Sequence, residues 1–152
     1  MIEAKIIAVC TSPGKGGRKQ DVGRGVLLKD LGLVGDGHGG DGHRQLSLLA
    51  MESIEKMQAK GLDVAPGDFA ENLTTRGVDL CALPVGSRLR IGAEALVEIT
   101  QIGKVCHERC EIYYQAGDCV MPREGVFARV LKGGAVATGD AIEVVEGSWE
   151  VL

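Results

Sequence analysis

Aromatic side chains are scarce in this chain: one Trp, two Tyr and two Phe among 152 residues. Stacking platforms for unpaired bases need more, so single-strand nucleic-acid binding is not favoured. Positive charge is short as well. Lys and Arg number 17 against 21 Asp and Glu, for a formal net charge of -4, the opposite of the basic footprint that neutralises a phosphate backbone. No apolar run approaches the ~18 residues of a membrane span. The opening MIEAKIIAVC lacks the basic, apolar and small-residue order of a signal peptide. These absences predict a soluble, cytoplasmic protein with no nucleic-acid or membrane partner. Five cysteines are an odd number in a chain large enough to fold without staples, so reduced thiols are expected rather than a disulfide framework.

What the chain does have is a globular balance, 45% hydrophobic against 25% charged residues, sized for a single domain over 1–152. Its 23 glycines separate short, partly β-branched apolar runs at 4–10, 25–28, 88–91, 95–100 and 141–145, which predicts strands. Leu48, Met51, Ile54 and Met57 fall about one turn apart, with Ser47 as N-cap and Gly61 as stop, which predicts a helix over 48–60. Shorter helices are expected over 126–131, ended by Gly133 and Gly134, and just after Cys106. The expected class is mostly β (α+β): a barrel or folded-over sheet with a few short helices, not a regular βαβ alternation.

Three constellations could carry chemistry. In the first, glycines alternate with Asp36, His38, Asp41 and His43 before Arg44 and Gln45. Glycine lets backbone amides approach a ligand, but the same residues also make a turn whose side chains cap local backbone. The spacing of His38 and His43 matches no common zinc motif. The second runs Gly67-Asp68-Phe69-Ala70-Glu71-Asn72-Leu73-Thr74-Thr75. It offers donors and acceptors for a polar heterocycle edge, or equally the partners a turn needs. The third gathers Cys106, Cys110 and Cys119 around Lys104, His107 and Arg109. That basic setting favours thiolate, the form that binds a soft metal or carries sulfur. Zinc held by Cys106, Cys110 and Cys119 is less favoured, since paired two-residue spacings are missing. Cys10 and Cys81, beside apolar neighbours, are expected in the core.

Read together, these segments resemble the MOSC (molybdenum-cofactor sulfurase C-terminal) domain family over roughly 4–145. The matching phrases are Gly32-Leu33-Val34-Gly35-Asp36-Gly37-His38, Arg44-Gln45-Leu46-Ser47-Leu48-Leu49, Glu71-Asn72-Leu73-Thr74, Leu83-Pro84-Val85-Gly86-Ser87-Arg88-Leu89-Arg90-Ile91-Gly92 and Gly125-Val126-Phe127-Ala128-Arg129-Val130-Leu131. The resemblance implies a strand-rich, β-barrel-like fold and a cleft for the molybdenum cofactor or molybdopterin. It places Cys106 as the catalytic or molybdenum- and sulfur-binding residue; Cys110 and Cys119 are additions to the family's commoner pattern and stand as further candidate metal ligands on their residue type. It also implies that His38, Arg44, Glu71, Asn72 and Arg129 line the cleft, and Lys104 and Arg109 join Arg129 in offsetting ligand charge. The cysteine follows Lys104-Val105 rather than the family's commoner Arg-x-Pro phrase, which makes reductase chemistry less secure than cofactor binding.

The leading expectation is a protein of molybdenum-cofactor metabolism that binds the cofactor or carries sulfur, its partners being biosynthetic proteins, molybdoenzymes or a sulfur donor. Two alternatives stand beside it: a molybdenum-dependent reductase of N-hydroxylated compounds fed by a partner electron donor, and a non-catalytic zinc-binding interaction module. Pyridoxal-phosphate chemistry would belong to a partner, for this length leaves no room for a desulfurase domain.

Overall fold

A computed structural model describes residues 4–12, 19–36, 45–69, 71–103 and 124–145. The chain forms β1 (Lys5–Thr11), β2 (Gln20–Asp21), β3 (Arg24–Leu28), β4 (Gly32–Leu33), β5 (Leu46–Ala50), α1 (Met51–Ala59), β6 (Leu73–Arg76), a 3-10 turn (Leu80–Ala82), β7 (Arg88–Ile91), β8 (Ala95–Ile102), β9 (Val126–Lys132), β10 (Gly134–Ala137) and β11 (Ile142–Val145). The helix expected after Cys106 lies outside the described residues.

Eight strands join one sheet in the order β11-β7-β8-β9-β5-β6-β1-β2, and β10-β3-β4 form a second, smaller sheet. Most neighbours are antiparallel, but β5 and β6 run parallel with Leu48 opposite Leu73. A parallel pair cannot be closed by a tight turn, and here α1 lies on the crossover. Two register shifts interrupt the β8–β9 ladder and one interrupts β1–β6; such bulges increase twist and bend the sheet. The bent sheet brings its two ends together at one isolated bridge, Lys5 to Ala141. Among the described residues it does not close, so the barrel-like expectation is corrected to a strand-rich, folded-over mixed sheet. Around that bridge the Ile6 amide donates to the Asp140 carbonyl, the Gly139 amide to the Ile6 carbonyl and the Ile142 amide to the Ala4 carbonyl, which ties the two ends locally without a strand ladder between β1 and β11.

Strand alternation sorts side chains between two cores. Val97 and Ile99 of β8, Val126, Ala128 and Val130 of β9, Leu46 and Leu48 of β5 and Leu73 of β6 point inward, where Leu27, Leu33 and Val136 of the small sheet cover them. On the other face Leu49 and Phe127 meet Ile54 and Met57 of α1, with Val64 and Phe69 beyond.

Two sequence expectations change for this reason. The helix starts at Met51, not at 48, because residues 46–50 are a strand buried on both faces. Such strands read as unbroken apolar runs without alternation. Ser47 is therefore a strand residue, and Ala50 precedes the helix without a side-chain cap. Residues 126–131 are β9 rather than a helix, since cross-strand pairing to β5 and β8 overrides local propensity. Among the described residues no helix is long and apolar enough to cross a membrane.

Gly32, at the start of β4, has φ +117° and a side chain built there would meet the Gln45 carbonyl at 2.1 Å, whereas Gly61 after α1 has φ +91° and open space around it. Gly61→Ala is expected to cost about 1–2 kcal/mol, the ordinary left-handed penalty. Gly32→Ala, which adds a clash with backbone, should lower the urea unfolding midpoint further than Gly61→Ala; equal midpoints would refute the close approach of β4 to Gln45.

Candidate functional site

The polar run at 71–75 does not form a turn over its whole length; from Leu73 it is strand β6, and its first residues meet the ends of four other elements. Glu71 is 0% exposed. Its Oε2 accepts a 2.7 Å bond from Thr74 Oγ1, while Oε1 has no hydrogen-bond partner among the described residues. Burial pushes this carboxyl above its ordinary pKa, and the opposing hydrogen bonds from Thr74 and from the amides of Gly67, Glu71 and Phe69 do not cancel that effect.

The parallel register sets Asn72 beside Ser47. Asn72 Oδ1 accepts from the Ser47 amide at 3.0 Å and from Ser47 Oγ at 3.2 Å, and Nδ2 donates to the Cys10 carbonyl at 3.2 Å. The Cys10 amide donates in turn to the Asn72 carbonyl at 2.7 Å. These bonds stitch β5, β6 and β1 together. Cys10 itself is a free, buried thiol whose pKa is pushed up to about 12, first by burial and then by the nearby Glu71 and Asp21 carboxylates. It is a protonated, inert thiol rather than a metal ligand.

Asp36 completes the cluster. Its Oδ1 accepts from Lys19 Nζ at 2.7 Å and from the Ser12 amide at 3.1 Å, and the Asn72 side chain adds a further bond. The Lys19 and Asp36 side chains are each 1% exposed. Burial opposes the charged form of Asp36, but these hydrogen bonds and the Lys19 charge outweigh it and hold the carboxyl below its ordinary range. The Lys19 amide also donates to the Gly67 carbonyl at 2.7 Å.

Arg129 lies apart from this network. It ends two residues beyond Phe127, the cross-strand partner of Ser47, and pairs through its guanidinium with Glu98 at 3.0 Å. Glu98 also takes Arg88 at 3.4 Å. The Arg129 side chain remains 48% exposed.

His38, Arg44, Lys104, Cys106, Arg109, Cys110 and Cys119 lie outside the described residues, as do His43 and His107. The points from which their segments leave are described. Segments 13–18 and 37–44 join the fold at Ser12, Lys19, Asp36 and Gln45, and Gln45 is fixed by accepting from the Val130 amide at 2.9 Å. For segment 104–123, the Gly103 amide donates to the Gly125 carbonyl at 2.6 Å. Glu124 is held at the start of α1 by Ser53 Oγ at 2.6 Å and Lys56 Nζ at 3.0 Å.

Cys81 is exposed rather than in the core, because its 3-10 turn buries only Leu80; its Sγ donates to the Glu124 carbonyl at 3.3 Å. Beside it lies a cavity of about 470 Å³ whose walls include Ser53, Lys56, Leu80 and Glu124. Among the described residues no group of three His, Cys, Asp or Glu side chains could hold a metal.

Sequence reasoning missed Lys19, whose only signal was a basic residue beside a short polar strand. It also missed the pairing of Ser47 with Asn72, which depends on a register between segments 25 residues apart.

Residues 34–143 match the MOSC domain family. The fold is similar to the crystal structure of the YUAD protein from Bacillus subtilis, with a TM-score of 0.77 at 20% identity over 94% of this chain and 96% of that one. It is also similar to YiiM from Geobacillus stearothermophilus, with a TM-score of 0.69 at 18% identity over 94% and 75% of the two chains. YiiM from Escherichia coli gives 0.68 at 24% identity over 96% and 71%. At these identities the structural likenesses show the fold alone. No curated protein sequence matches the chain.

The protonation state of Glu71 has a measurable sign. A carboxyl whose folded pKa is raised contributes stability that is full below its unfolded value, ~4.3, and is lost as pH rises through the folded value. Glu71→Gln has no proton to lose. Its unfolding free energy relative to wild type should therefore improve as the pH is raised above the unfolded value of ~4.3, read by urea denaturation. A difference that stays flat with pH would mean that Glu71 is ionised in the fold.

Proposed function

The chain belongs to the MOSC domain family, and from that premise we propose that it binds the molybdenum cofactor or a molybdopterin relative, or carries sulfur to it, through Cys106. The family is linked to this cofactor; the particular role and residues are our reading.

The observation that carries the proposal is the charge state of the buried wall. A pterin phosphate and a dithiolene are anionic, so two buried ionised carboxylates facing them would repel. Here burial raises the pKa of Glu71, favouring its neutral form, and Asp36 is matched by Lys19. The wall is thereby suited to an anionic ligand. Arg129, half-exposed on the same sheet face as Phe127, lies apart from this cluster and is ion-paired with Glu98.

The wall supplies no soft ligand of its own, since the Cys10 thiol is buried and protonated, which leaves that role to the 104–123 cysteines. Cys106 follows Gly103 by three residues, a tether of at most ~10 Å, and Gly103 is pinned to Gly125.

When bound, the cofactor would supply a thiophilic metal or a sulfur-accepting centre. The chain's part is to present the Cys106 thiolate and to offset phosphate and dithiolene charge with Lys104, Arg109 and Arg129, while His38 and Arg44 line the cleft. Glu71 and Asn72 shape the wall from beneath, as their hydrogen bonds run inward to Thr74, Ser47 and Cys10.

The test is the pterin fluorescence and elemental content of the wild-type chain and Cys106→Ala, each co-expressed with the cofactor-synthesis pathway. Wild type should carry molybdenum and pterin, and the variant should lose more than ~10-fold, the least expected when a metal ligand is removed. Zinc without pterin in wild type, or unchanged loading in the variant, would overturn the proposal.

A further inference from the structure

Among the described residues the exposed large aliphatic side chains gather in one place. Val22, Val26, Leu28, Leu31 and Val34 are each between 36% and 49% exposed, and all five lie on or beside β3 and β4. The others, Val85, Ile102 and Val144, are scattered over the loop before β7, the end of β8 and β11. Single exposed aliphatics are ordinary, whereas a contiguous patch marks an association surface.

Strand pairing turns the cluster into a face. Leu27 points into the inner core, so by alternation Arg24, Val26 and Leu28 share the outer side of the small sheet. Val26 pairs with Ala135 of β10, and its carbonyl accepts from the Val34 amide. Ala135, Val26 and Val34 therefore form one apolar row across the sheet. The next row carries a single side chain. Leu28 pairs with Gly32 on one side and has Gly133 on the other, where a Cβ would stand 3.4 Å from Leu28 Cα. Leu28 is thus a ridge flanked by bare backbone, next to a broad row of smaller side chains. A cavity of about 570 Å³, with Arg24, Val26, Ala135 and Ala137 in its walls, opens beside that row.

Charge selects what fits this face. Arg24 and Asp30 are exposed and lie three residues to either side of Leu27, and neither side chain has a hydrogen-bond or ion-pair partner among the described residues. Stacking β3 of one copy on β3 of another in parallel would set Arg24 against Arg24, an unfavourable contact. Antiparallel stacking centred on Leu27 sets Arg24 of each copy against Asp30 of the other, twice by symmetry. The same register lays the Leu28 ridge of each copy on the Ala135–Val26–Val34 row of the other. Lys29, the other exposed charge between Leu28 and Leu31, then falls opposite Gly25, away from any cation on β3.

We propose that the outer face of the β10-β3-β4 sheet is a homodimer interface, with two copies stacked antiparallel, Leu28 packed on the facing row and Arg24 paired with Asp30 across the two-fold axis. Sheets packed face to face lie ~10 Å apart, a gap that interdigitated Leu and Val side chains fill. Five aliphatic side chains with their small neighbours are fewer than the ~20–30 residues a side of a standard interface. The dimer is therefore reversible and depends on protein concentration.

The test is sedimentation velocity of the whole chain from low micromolar to several hundred micromolar, on wild type, Leu28→Glu, Arg24→Asp, Asp30→Arg and the Arg24→Asp/Asp30→Arg double variant. Wild type should pass from monomer to dimer across this range. Leu28→Glu should stay monomeric with a near-wild-type urea midpoint, since Leu28 is already 45% exposed in the single chain. Each single charge variant places two like-charged pairs across the axis and should raise the dissociation constant on the order of 10-fold. The double variant restores opposite charges and should recover most of that loss.

A wild type that stays monomeric throughout overturns the proposal, and so does a dimer that persists in Leu28→Glu, because it would lie elsewhere on the molecule. Should Leu28→Glu not fold, the charge series decides. Recovery in the double variant supports the antiparallel dimer, and equal dissociation constants for wild type and the three charge variants overturn it.

Discussion

The parallel pairing of β5 with β6 is the constraint on which the site depends. With Leu48 opposite Leu73, Ser47 and Asn72 become neighbours and exchange hydrogen bonds through both backbone and side chain. A slip of one residue would turn Leu73 away from the inner core and carry Asn72 off Ser47, since side chains alternate between faces. The register is held from both sides, by the inner core through Leu46, Leu48 and Leu73 and by α1 through Leu49. The polar cluster is thus positioned by apolar packing that it does not itself contribute.

Within that frame the two buried carboxyls are stabilised in opposite ways. Asp36 keeps its charge because Lys19 and several donors meet it. Glu71, with one oxygen bonded to Thr74 and the other unpartnered among the described residues, has no ion-pair partner among them and is pushed toward the protonated form. The same physical rule decides both: in a low-dielectric interior, charge persists only where it is matched. The result is a buried polar cluster in which Asp36 is matched by Lys19 and the Glu71 pKa is raised, set where segments 13–18 and 37–44 join the fold. Segment 104–123 is anchored separately, at the start of α1, by Glu124 with Ser53 and Lys56.

Much of the fold is legible in the sequence. The strands at 88–91, 95–100 and 141–145 appear close to their expected positions because alternation and β-branched residues mark half-buried strands well. The helix ends where Gly61 predicts, with the Gly61 amide capping on Gln58. Its start does not follow the same logic. Leu46, Leu48 and Leu49 are all buried although they face opposite cores, and an apolar run of that kind carries no periodicity by which strand and helix can be told apart. Residues 126–131 fail for a related reason: their strand identity comes from partners on both sides. Cys81 was misplaced because its apolar neighbours describe the chain locally, whereas its exposure is set by how the 3-10 turn sits on the surface.

The sequence by itself determined the strand-rich class, the family resemblance and the chemical types at the candidate site, since these follow from local pattern and residue identity. Only tertiary structure decided that burial raises the Glu71 pKa, that Asn72 spends its donors and acceptors on Ser47, Cys10 and Asp36, and that Lys19 and Asp36 form a pair. Each of these depends on which distant segment lies alongside and how much water is excluded there. Both are properties of strand register and packing between residues far apart in the chain, which local sequence pattern does not encode.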